Sequence, residues 1–148
     1  MEQVVELVSS NDIISAARSL LNTPYQHQGR TPGKGLDCSG VVVLTAYLAG
    51  LSDKKWGKTN YPKTANSFLQ QGLEEHCVEL EELTIGGIAL FKISAIPYHC
   101  GILTDYRGGL GILHAYQNAN KVTEHGLIPW WKNKIVRVYG FPGVDYGC

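Results

Sequence analysis

Leu36-Asp37-Cys38-Ser39-Gly40-Val41-Val42-Val43-Leu44-Thr45-Ala46-Tyr47-Leu48-Ala49-Gly50 is the stretch on which the fold turns. Three adjacent valines suit a strand, but the run is longer than an ordinary strand. Asp37 can cap one end, and Gly50 suits the position just past the other. These features predict a buried helix. Cys38 then falls on its first turn, where backbone N–H groups and the helix dipole favour negative charge and lower a thiol's pKa. A free cysteine is as often a small buried hydrophobe, so position alone leaves both readings open.

Working outward, residues 23 to 36 carry two prolines and three glycines, too many breakers for a regular element. They form a shaped loop, the kind of segment that usually carries function. Before it, Ser10 and Asn11 precede Asp12, Ile13, Ile14, Ala16, Ala17, Leu20 and Leu21, a capped amphipathic helix ending near Asn22 and Pro24. After it come a polar loop around Trp56 to Asn60 and a helix starting at Pro62, running through Phe68 and Gln71 and ended by Gly72. Strands are expected at 88 to 93, 99 to 104, 111 to 116 and 135 to 141, with a short helix at 129 to 133. The fold class is therefore α+β, with N-terminal helices packed on a central antiparallel sheet. No linker divides the 148 residues, and one domain covers 1 to 148.

Lys and Arg total 13 against 13 Asp and Glu, so no net charge draws the chain toward nucleic acid or an anionic membrane. The first ten residues lack the basic and apolar regions of a signal peptide, and no run approaches the ~18 apolar residues of a membrane span. This leaves a cytoplasmic protein or one carried on a particle. Cys38, Cys77, Cys100 and Cys148 show no C-x-x-C spacing, so a disulfide framework is not expected and a thiol is free to react.

His99 and His114 lie on consecutive strands, and the midpoint of their positions falls at the turn expected at 106 to 109. In a hairpin they become near cross-strand neighbours, and two imidazoles on one face can hydrogen-bond. A slip of one residue would put them on opposite faces. Such a pair meets what a cysteine nucleophile needs: one imidazole to take the thiol proton and a second polar group to fix its tautomer.

Thr23-Pro24-Tyr25, Gly29 and Gly35-Leu36-Asp37-Cys38-Ser39-Gly40-Val41 resemble the nucleophile segment of the NlpC family of bacterial cell-wall endopeptidases. His99-Cys100-Gly101-Ile102-Leu103 resembles that family's catalytic-histidine strand, and Leu113-His114-Ala115 the strand bearing its third triad residue. The three segments occur in the family's order. The resemblance implies a papain-like cysteine peptidase without cofactor or metal. It would cleave a γ-D-glutamyl bond to a diamino acid in peptidoglycan stem peptides, with Cys38, His99 and His114 as its triad. It also implies that Tyr25 adds an oxyanion donor and that Asp37 and Ser39 bind the free α-amine of the substrate. Helix capping is the other role open to Asp37 and Ser39. Tyr25-Gln26-His27-Gln28-Gly29 and the closing Trp130-Trp131 and Arg137 to Gly143 are most similar to members encoded with phage tails and gene-transfer particles, which implies phage tail proteins as partners.

Two departures stand out. Gly86-Gly87-Ile88 lacks the carboxylate that often ties down this turn, and Gln26-His27-Gln28 replaces an aromatic and two glycines in the cleft loop. Other readings stay open: an acyltransferase or thioesterase on the same scaffold, or a tail-tip structural component. The dipeptides His76-Cys77 and His99-Cys100 hint at zinc, but adjacent strand residues point to opposite faces. His27 and His125 read as ordinary loop residues, and Trp56, Trp130 and Trp131 as packing.

Overall fold

The computed structural model describes residues 7–52, 61–63 and 66–147, so the expectations for Trp56 and Cys148 lie outside the described residues. Strand β1 (Val8–Ser9) leads into helix α1 (Ser10–Arg18), whose cap is Ser9, one residue earlier than expected. The Ser9 hydroxyl accepts from the Asp12 N–H at 3.1 Å, and the Asp12 carboxylate accepts from the Ser9 N–H at 3.2 Å. This reciprocal box satisfies two N–H groups that the first turn leaves open. Ile13, Ile14 and Ala17 are buried, while Arg18 at the far end pairs with Glu124 at 2.8 Å and Asp105 at 3.0 Å.

The shaped loop contains a small hairpin, β2 (Arg30–Thr31) with β3 (Gly35–Leu36), and delivers the chain into helix α2 (Cys38–Leu48). Every residue from Gly40 to Ala46 is buried. A helix enclosed on all sides needs no polar face, which is why three valines in a row are compatible with it. Helix α3 is Phe68–His76, so it neither starts at Pro62 nor stops at Gly72. Asn66 Oδ1 accepts from the Phe68 N–H at 3.0 Å and marks the true start. A Cβ on Gly72 would meet nothing within 4 Å. A glycine inside a helix costs about 1 kcal/mol, too little to end one that Leu73 anchors in the core.

The remaining strands are β4 (Val78–Leu80), β5 (Ile88–Phe91), β6 (His99–Tyr106), β7 (Gly109–Tyr116), β8 (Lys121–Gly126), β9 (Ile135–Gly140) and β10 (Val144–Asp145), the last paired in parallel with β1. Short helix α4 (Pro129–Lys132) lies between β8 and β9. Six strands form one sheet in the order β4-β9-β5-β6-β7-β8, with every neighbouring pair antiparallel. One face packs Ile88, Leu90, Cys100, Ile102, Leu113 and Ala115 with α1 and α2. The other holds Ala89, Phe91, Leu103, Ile112, Val138 and Trp131 of α4. This is the α+β arrangement expected from the sequence. At the turn that lacks a carboxylate, Gly86 has a φ of +87°, its N–H donates to Leu103 O at 2.8 Å, and the Tyr146 hydroxyl donates to Gly86 O at 3.2 Å. The loss is met from the C-terminal segment.

Candidate active site

Cys38 opens α2, and Asp37 before it is the N-cap. The Asp37 carboxylate is almost wholly inside the protein and has four donors. Oδ1 accepts from the Gly40 N–H at 2.8 Å and Arg30 Nη1 at 2.9 Å, and Oδ2 accepts from the Gln28 N–H at 2.9 Å and the Tyr61 hydroxyl. Two carboxylate oxygens offer about four acceptor positions. Asp37 thus caps α2 and holds its own loop. Gln26-His27-Gln28 joins the same lattice, since the Gln28 side chain donates to the Tyr61 carbonyl at 2.7 Å and His27 Nε2 lies 3.0 Å from that oxygen. Arg30 and Tyr61 were not singled out by the sequence, where nothing in their spacing marks them.

Residues 98 to 100 run against the nucleophile. Cys38 Sγ lies 3.8 Å from the Tyr98 carbonyl oxygen, and Cys100 Sγ lies 3.4 Å from the Cys38 carbonyl oxygen. Hydrogen bonding by the Cys100 thiol and by the His99 imidazole, together with the charge of His99, outweighs burial and holds the Cys38 thiol well below its usual range. Cys100 is pushed well above it by the same thiol contact and by burial, so it stays a thiol and a donor. Burial pushes Cys77 up to about 12. Among the described cysteines, Cys38 alone is poised as a thiolate.

The β6–β7 hairpin turns through Arg107 (φ 48°) and Gly108 (φ 82°), with Tyr106 opposite Gly109. Two positive φ values in a two-residue loop give the tight turn whose twist matches the strands. The turn falls where the sequence put it, and the register pairs Ile102 with Leu113. His99 and His114 are therefore offset by two residues along the ladder rather than directly opposed. An even offset keeps them on one face, and His99 Nε2 lies 2.7 Å from His114 Nδ1. His114 has no solvent exposure, and burial, followed by the charges of His99 and His125, pushes it down to about 2. It remains neutral at any physiological pH.

His125 is not the loop residue expected. It lies on β8, and its Nε2 is 2.9 Å from His114 Nε2. The β7–β8 register pairs His125 with Ile112, so it too is displaced by two residues on the same face. The strand was missed because Lys121 to Gly126 is mostly polar with one apolar residue, Val122, fully buried. Trp131 covers the row, with ring centroids 5.7, 4.9 and 5.9 Å from His99, His114 and His125. It packs, as expected of it, but on the imidazoles. Trp130 beside it is half exposed.

A cavity of about 400 Å³ opens over Cys38 and His99, with Tyr25, Ser39, Tyr61 and Tyr98 among its walls. Burial and the neighbouring Cys38 push the Tyr25 hydroxyl up to about 12, so it is a proton donor at neutral pH. Tyr25, Asp37, Cys38, Ser39 and His99 all line this cavity, and His114 stands behind His99. Among the described residues no group of three or more His, Cys, Asp or Glu side chains could hold a metal ion.

Solved structures share this fold. The NlpC/p60 domain of the peptidoglycan hydrolase SagA matches with a TM-score of 0.59 at 20% identity, over 89% of this chain and 98% of that one. The chain has the NlpC/P60 papain-like fold. An NlpC/P60 family protein from Bacillus cereus matches with a TM-score of 0.64 at 17% identity, over 93% of this chain but only 41% of the other. An N-acetylmuramoyl-L-alanine amidase from Bacteroides uniformis matches with a TM-score of 0.60 at 13% identity, over 89% of this chain and 98% of that one. No family model and no curated protein matches the sequence.

Proposed function

We propose that this protein is a cysteine hydrolase that cleaves an amide bond in peptidoglycan stem peptides. The observation that carries the reading is the thiolate-poised Cys38 at a helix start, beside a His99 whose far nitrogen is held by His114. Structural neighbours described as peptidoglycan hydrolases support the substrate class. The Cys38 thiolate attacks the carbonyl and forms an acyl-enzyme. The proton held by His99 passes to the leaving amine, and His99 then draws a proton from water as it attacks the acyl carbon. The Cys38 N–H and the Tyr25 hydroxyl are the oxyanion donors. His114, kept neutral, accepts from His99 and orients it.

The bond assigned is γ-D-glutamyl to the diamino acid, as the sequence resemblance implies, and carriage on a phage-tail particle rests on the same resemblance. The amidase among the neighbours favours a second bond, between muramic acid and L-alanine. Incubating the protein with muropeptides and weighing the products separates them. Release of the diamino-acid fragment supports the first assignment, and release of the whole stem peptide the second. No cleavage, or equal cleavage by Cys38→Ala, would sink the hydrolase reading.

A further inference from the structure

His99 to His114 is not the end of the line. His125 Nε2 lies 2.9 Å from His114 Nε2, and on its far side His125 Nδ1 lies 2.9 Å from the carbonyl oxygen of Gly126. A carbonyl only accepts, so the proton of a neutral His125 sits on Nδ1 and its Nε2 is an acceptor. His114 Nε2 must then carry a proton and donate it to His125, which leaves His114 Nδ1 as the acceptor for His99 Nε2–H. The His99 nitrogen that remains unprotonated is Nδ1, the one free to serve Cys38. One backbone carbonyl thus sets the direction of every hydrogen bond up to the nucleophile.

We propose that His125 is a positioning residue that, anchored by the Gly126 carbonyl, fixes the tautomers of His114 and His99 so that His99 presents its basic nitrogen to Cys38. The inference rests on the cysteine-hydrolase reading of the site. Without His125, His114 loses the acceptor at Nε2 and is free to move its proton to Nδ1, from which it would donate to His99 Nε2. His99 Nε2 would then be an acceptor, so His99 could hold a proton on Nδ1 only and could not form the imidazolium that stabilises the Cys38 thiolate. The carboxylate of the adjacent Glu124 is engaged by Arg18 at 2.8 and 3.0 Å, and Trp131 packs against the His125 ring.

The test reads Cys38 without a peptide substrate, through the pH profile of its alkylation by iodoacetamide in the full-length protein. His125→Leu removes the acceptor and is expected to slow alkylation at pH 7 about tenfold and to move the acid limb upward, whereas His125→Gln, whose Oε1 can accept from His114, stays within about threefold of wild type. Melting curves check that both variants fold, and ¹⁵N shifts of the wild-type imidazoles read the tautomers directly. Protons on His114 Nε2 and His125 Nδ1 are expected. Wild-type profiles in both variants, equal slowing in both, or a His125 proton on Nε2 would overturn the proposal. Wild-type protein that alkylates normally yet leaves muropeptides intact would remove the hydrolase reading, while the alkylation profiles still decide the relay.

Discussion

A Cβ built on Gly101 would lie 2.9 Å from the Cβ of His114 and 2.7 Å from Ile112 Cδ1. Residue 101 shares its sheet face with the histidine row, and only hydrogen leaves room for His114 to reach His99. Gly101→Val is expected to cost about 1–3 kcal/mol of stability by overpacking, and to slow Cys38 alkylation by pushing the His114 ring off its 2.7 Å contact. Denaturant melts and alkylation rates check both effects. A stable variant with wild-type reactivity would show that the strand yields more readily than its buried neighbours suggest.

The order of thiol reactivity follows from the same geometry. Cys38 is expected to react first with iodoacetamide at neutral pH, while Cys77, raised to about 12, and Cys100, raised by Cys38 and burial, lag far behind. Cys100→Ala removes the leading stabiliser of the Cys38 thiolate. Its thiol pKa should rise toward the ordinary value, and alkylation below pH 6 should fall by about tenfold for each unit of that rise. Mass spectrometry of the labelled peptides checks the order. Faster labelling of Cys77 or Cys100 than of Cys38 would break the nucleophile assignment.

How far the sequence carried this reading can be seen residue by residue. Cys38 was legible because a capped helix start is a local pattern, and His99 with His114 because a hairpin's register follows from its turn. His125 was not, since β8 is an edge strand with one buried apolar residue and its polar pattern resembles a loop. Arg30 and Tyr61 were not, because their partner Asp37 lies 7 and 24 residues away, at separations that no helical or strand period governs. Helix α3 was shifted because proline and glycine were read as hard boundaries, where the Asn66 side-chain bond to the Phe68 N–H and the burial of Leu73 decided instead.

Acid should unfold this protein partly through His114. Its native pKa is pushed down to about 2 from the ordinary 6.5, so between those values the unfolded chain binds a proton there that the native one excludes. The unfolded state holds more protons, and stability therefore rises with pH in this window and falls on acidification, by up to about 1.4 kcal/mol per pH unit from this residue. His114→Asn should be less stable at pH 7 yet show a shallower loss between pH 6 and 4. Denaturant midpoints across that range check the slopes. Parallel slopes in the two proteins would mean that His114 is hydrated in the native state.

The last expectation concerns what Asp37 leaves for the substrate. Its carboxylate accepts from Gly40, Gln28, Arg30 and Tyr61. A substrate ammonium would therefore find no open lone pair at this position. Blocking the N-terminal amine of a stem tripeptide is expected to change kcat/KM by less than about threefold, where a charge-assisted bond to Asp37 would make the effect about 10- to 150-fold. Asp37→Asn should act on the protein instead. It takes the carboxylate partner from the Arg30 charge, in a side chain 12% exposed, and costs about 3–5 kcal/mol. Rates on the free and N-acetylated tripeptides, together with melts of the variant, separate the two roles. A large penalty for acetylation that disappears in Asp37→Asn would mean that the carboxylate turns from Arg30 to the substrate on binding.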